Sequence, residues 1–152
     1  CRIEAVVQTL LAGDAETRAM LPNLISTLRQ FFDFVRQVSH NEYWLQEDAD
    51  FVAAIFKPIM HKFIFKFGDI DHAMLEDVCG SLLTYYRTLA KLGVISGESF
   101  REFDKAILGL KPELIKKMEK YNAVRHDRSV PEEKKEALRE ELFEGDHAWP
   151  HL

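Results

Sequence analysis

Residues 71–94 read DHAMLEDVCGSLLTYYRTLAKLGV, and their periodicity decides the fold class. Met74, Leu75, Val78, Cys79, Leu82, Tyr85, Tyr86 and Leu89 recur at intervals of three and four, which lines one side of an α-helix. Asp69 or Asp71 is placed to cap its start. Lys91-Leu92-Gly93-Val94 reads as its stop, with Gly93 in the left-handed conformation and Val94 as a hydrophobic clasp beyond it.

The same period extends in both directions. Upstream, Ile3, Val6, Val7, Leu10 and Leu11 form a one-sided helix that Gly13 ends, and Asp14 can cap the turn after it. Pro22 is expected to open a helix carrying Leu24, Ile25, Leu28, Phe31, Phe32, Val35 and Val38. Tyr43, Trp44 and Leu45 fall in a connector. A further helix starts near Asp48 or Asp50 and runs to Phe67, with a kink or a break expected at Pro58. Downstream, Ser96 or Ser99 caps a segment in which Phe100, Phe103, Ile107 and Leu108 face inward, and Ser99 with Glu102 matches a capping box. Gly109 is read as a break, and Pro112 as the start of a helix with Leu114, Ile115, Met118 and Tyr121. Ser129 and Glu132 match a second capping box before a charged helix whose apolar line is Ala137, Leu138, Leu142 and Phe143.

No stretch alternates like a strand. Seven helical segments therefore give an all-α fold: one globular multi-helix bundle over residues 1–145, followed by a tail at 146–152. An irregular helical-hairpin or solenoid fragment is the alternative.

Composition narrows the function. The chain has 152 residues, of which 47% are hydrophobic and 30% charged, as in an ordinary globular domain. A net charge of −5 opposes nucleic-acid binding, which needs a basic surplus. No apolar run is long enough to span a bilayer. The two cysteines, Cys1 and Cys79, make neither a disulfide framework nor a metal motif, which points to a reducing, cytoplasmic compartment. Cys79 lies on the apolar stripe and is expected to be buried and inert. Cys1 is read as the edge of a piece of a larger intracellular protein rather than as a lipidated terminus.

Catalytic and metal-binding signatures are lacking. There is no nucleophile elbow and no phosphate-cradling glycine loop. His72 and Glu76 share a helix face, but as members of a solvated first turn rather than as metal ligands. The expectation is a protein without catalytic residues, metal or cofactor, and the reading leans against an enzyme.

Residues 51–67 stand apart. Their apolar side chains cover more than half of the helix circumference, while Lys57, His61, Lys62 and Lys66 take the remainder with Phe65 among them. A central helix packed on both sides, its lysines reaching out to water, explains that pattern. A partner site explains it as well, with Phe65 and Phe67 as apolar anchors, Lys62 and Lys66 orienting acidic groups of the partner, and Trp149 in the tail as a further contact. The resulting expectation is a non-enzymatic protein–protein interaction domain (adaptor, scaffold or oligomerisation piece) that binds a protein partner or itself. The alternative is a small-molecule sensor or carrier with an apolar pocket between the 51–67 and 71–92 helices. Phe65→Ala is then expected to weaken partner binding and to leave stability nearly unchanged.

Overall fold

The computed structural model describes residues 2–39, 45–67 and 71–143, with Lys66 and Phe67 described in their backbone only. Among these residues the chain forms six α-helices and no strand: α1 (Arg2–Leu11), α2 (Ala15–Ser39), α3 (Ala49–Phe67), α4 (His72–Lys91), α5 (Gly97–Arg125) and α6 (Glu132–Phe143). The fold is all-α. Tyr43 and Trp44 of the expected connector lie outside the described residues, and so does the tail with Trp149.

Local chemistry accounts for most helix ends. Asp14, Asp48 and Asp71 each accept a backbone N–H three residues on, from Thr17 (2.8 Å), Phe51 (3.0 Å) and Met74 (2.9 Å), and so start α2, α3 and α4. At the end of α4, Gly93 adopts φ +76°. Its N–H donates to the Ala90 carbonyl and that of Val94 to the Leu89 carbonyl, the paired bonds of a left-handed helix stop. Ser96 rather than Ser99 caps α5, accepting the Ser99 N–H at 3.0 Å. The Ser129–Glu132 box does not form. Ser129 instead turns both its N–H and its hydroxyl onto Asp127 Oδ1, and the Pro131 carbonyl accepts the first α6 bonds.

The chain breaks at none of three expected interruptions. Helix α2 passes through Pro22, α3 through Pro58, and α5 through both Gly109 and Pro112, so seven segments become six helices. Pro22, Gly109 and Pro112 are all exposed, where water can take a backbone bond that proline cannot make. The buried stripes run on across them: Leu21, Leu24 and Leu28 in α2, and Ile107, Leu110 and Leu114 in α5. Burial of several apolar side chains outweighs the local cost of one proline or glycine.

All six helices contribute to one buried cluster, from Ile3 and Val6 of α1 to Leu142 and Phe143 of α6. Helix α4 packs against α1 and α2 as well as α5, and α3 packs against α5, α6 and α2. These non-sequential contacts make a bundle, not a row of stacked hairpins. Asp50 meets Ser99, Phe56 meets Phe103, Lys57 meets Glu113 and His61 meets Lys117, so α3 and α5 run in the same direction. Tyr86 against Phe103 and Glu76 against Lys111 set α4 antiparallel to α5.

At the centre, six aromatic rings from four helices form a closed circuit. Phe31 contacts Phe32, which contacts Tyr85, then Tyr86, Phe103, Phe56 and Phe31 again, with centroids 4.6–6.3 Å apart. All six are at most 2% exposed. Four of these contacts are edge-to-face and two tilted, and such pairs add to the area term of burying the rings. The Tyr86 hydroxyl donates to the Gln46 carbonyl at 2.9 Å, while that of Tyr85 has no partner among the described residues.

Candidate functional site

The described aromatic rings of residues 31–67 are mostly inside. Phe31, Phe32, Phe34, Phe56 and Phe63 are buried, and only Phe51 and Phe65 are half-buried among the described rings of that span. Helix α3 consumes its wide apolar surface because α2, α5 and α6 close around it. The wide apolar surface of residues 51–67 is therefore used in packing, as the central-helix explanation requires.

Phe65 occupies the place where α6 crosses the end of α3. It packs against the core cluster, and the Arg139 guanidinium carbon lies 4.5 Å from its ring centroid. Arg139 also donates through Nη2 to the Phe65 carbonyl. One arginine thus covers the ring by a cation–π contact and caps a backbone acceptor near the helix C-terminus, where positive charge is favoured. Arg139 reaches Glu136 at 3.4 Å as well, and its buried Nε has no partner among the described residues. Lys62, three residues before Phe65 on α3, is half-buried. The side chains of Lys66 and Phe67 and the whole of Trp149 lie outside the described residues. Of the five expected contact residues, the structure places Phe65 and Lys62.

One turn earlier on α3 lies a polar cluster that the spacing of residues did not single out. His61 Nδ1 is 2.7 Å from the Lys57 carbonyl, and Nε2 is 2.8 Å from Lys117 Nζ. The neutral ring therefore donates through Nδ1–H and accepts through Nε2. Glu113 Oε1 takes Lys57 Nζ at 3.3 Å and Lys117 Nζ at 3.5 Å. Burial lowers the His61 pKa first, and the neighbouring Lys117 and Lys57 charges add to that, against the Lys57 carbonyl and Glu113. For Glu113, burial works against the charge, but the two lysines more than offset it and hold the carboxyl below its usual range. The His61 ring also rests 6.4 Å from that of Phe143 in α6. With both nitrogens engaged, His61 is an organiser of the α3–α5–α6 junction. Its protonation would turn an acceptor into a second cation facing Lys117.

Other side chains weighed from the sequence have structural partners. His72 lies 3.8 Å from Glu119, and Glu76 lies 2.6 Å from Lys111, so both members of that pair face α5. No group of three metal-ligating side chains occurs among the described residues. Cys79 is buried, and burial pushes its thiol up to about 11, far from thiolate reactivity at neutral pH.

Leu108 corrects the sequence reading in the other direction. Expected to face inward, it is 62% exposed on the outer side of α5. The reason is register. Once α5 continues through Gly109, its buried row is Phe103, Ile107, Leu110, Leu114 and Met118, and Leu108 points away from it. Leu45, just before α3, is 60% exposed, and Leu11, Met20 and Leu92 follow at 44–46%.

No helix of the described residues is long and apolar enough to cross a membrane. Compared with known proteins, the chain matches no family model, no curated protein and no solved structure.

Proposed function

We propose that the chain is a non-enzymatic helical interaction domain, an adaptor, scaffold or oligomerisation piece of a larger intracellular protein, without a nucleic-acid partner. The observation that carries this reading is Leu108, a large apolar side chain left 62% exposed in the middle of the longest helix. Isolated exposed leucines are common, but this one has the highest exposure of any large apolar side chain among the described residues. The contact face is thereby moved from the end of α3 to α5. At the α3 end a partner must displace Arg139 to reach Phe65.

The sensor or carrier alternative asks for an apolar pocket between α3 and α4. The sector between those helices is crossed by the six-ring circuit, whose rings pack against one another. That favours the interaction reading.

Affinity capture from the native source, comparing the wild type with Leu108→Asp, tests the proposal. Expected are a protein partner or a second copy bound by the wild type and lost by the variant, with unchanged circular dichroism. A monomer that captures no protein and carries a co-purified small molecule would contradict it and support the carrier.

A further inference from the structure

We propose that the outer face of α5 pairs antiparallel with the same face of a second copy, about a two-fold axis through Gly109. This inference rests on the interaction reading and names its partner.

The argument begins with spacing. Positions 98, 102, 105, 109, 113, 116 and 120 are three or four residues apart and so share one face of α5. They are symmetric about residue 109, at offsets of 4, 7 and 11 on either side. Their charges are opposite across that centre: Glu98 against Lys120, Glu102 against Lys116, and Lys105 against Glu113. In an antiparallel pair centred on Gly109, every charged residue of this row meets an opposite charge on the other copy. A parallel in-register pair would set each charge against itself, so the pattern selects the antiparallel arrangement.

The row is available. Glu98, Glu102, Lys105, Gly109, Lys116 and Lys120 are exposed, and none of these charged residues has an ion-pair partner among the described residues. Glu113 is half-buried and meets both Lys57 and Lys117 through Oε1. Its other oxygen is the one a lysine of the second copy would address.

Gly109 supplies the independent observation. It sits in a helix interior, where glycine is among the least favourable residues. A Cβ built there meets nothing within 4 Å, so the chain's own packing gives no reason for a missing side chain. An opposing backbone at the axis does give one, since glycine permits close approach. Leu108, one residue from the axis, then meets its symmetry mate along one rim, which removes the most exposed helical leucine from water. A two-fold contact of this kind is self-complementary and closes at two copies. Exposed ion pairs are individually weak, so the dimer is expected to be salt-sensitive.

Sedimentation equilibrium on the whole chain, at low and at 0.5 M salt, provides the test. The wild type is expected to dimerise, with a dissociation constant at least tenfold weaker at high salt. Glu102→Lys and Lys116→Glu should each weaken the dimer tenfold or more, because each introduces two like-charge meetings. The double variant should restore it, because the pair is recreated across the interface. Residues 102 and 116 are about 21 Å apart along one helix, so a zero-length crosslink between them can form only between copies. That crosslink in the wild type is the second readout and needs no variant. A chain monomeric throughout, or a double variant no better than the singles, would overturn the proposal. If such a chain still captures a different protein through Leu108, the interaction reading stands while self-pairing fails; if it captures none, both fail.

Discussion

Helices α3 and α5 lie side by side and run in the same direction, yet they use their surfaces in opposite ways. Helix α3 is apolar over most of its circumference and is enclosed by three neighbours, so its phenylalanines hold the bundle together. Helix α5 is ten residues longer, at 29 against 19, with a narrower buried row and a whole outer face left to water. Apolar content alone therefore misleads about where a protein meets its partners. What counts is apolar surface left over after packing, and among the described helical residues Leu108, on the more polar helix, keeps the most of it.

The sharpest way to break this contrast is to remove a ring from the core circuit. Phe103→Ala, at the contact between α5, α3 and α4, is expected to cost about 3–5 kcal/mol in chemical denaturation. A loss below about 1 kcal/mol would mean the rings are not packed as described. Phe65→Ala should cost less, about 1–2 kcal/mol, since the ring is half-buried and loses one cation–π contact. That replaces the expectation of a nearly silent substitution.

The α3–α5 junction also predicts a pH dependence. His61 has its folded-state pKa lowered below the ordinary value of 6.5. The unfolded chain therefore takes up a proton first as pH falls, and the stability contributed by neutral His61 is present above 6.5 and lost below it. Denaturation midpoints should decline as pH falls below 6.5, and His61→Gln should flatten the decline. An equally steep fall in the variant would assign it to other groups.

Two glycines refine the comparison further. Gly93 has φ +76°, a conformation disfavoured for any other L-residue, so Gly93→Ala should destabilise by about 1 kcal/mol. Gly109 has ordinary helical geometry and open space, so Gly109→Ala should stabilise the isolated chain by about 0.5–1 kcal/mol. The same substitution should weaken self-association. Thermal melts at low concentration separate the two effects.

The architecture was legible wherever the determinant was local. Aspartates at positions 14 and 71 carry their own acceptors to the next turn, and Gly93 with Val94 completes a stop within six residues. Longer-range causes were not legible. Nothing near Gly109 reveals that Leu110 and Leu114 will draw the helix straight through it, and without that continuity Leu108 could be assigned inward. Nor does the sequence around Phe65 announce Arg139, which arrives from a helix 74 residues later. The His61 cluster was hidden for the same reason, since Lys117 and Glu113 come from another helix. The charge symmetry of α5 lies in the sequence itself, but it acquires meaning only once residues 97–125 are one helix with that side exposed.

The most direct measurement compares Phe65→Ala with Leu108→Asp for both denaturation free energy and association. Loss of stability from the first and loss of association from the second, each leaving the other property nearly intact, is the predicted pattern. The reverse assignment, with association depending on Phe65 and indifferent to Leu108, would contradict it and return the contact surface to α3.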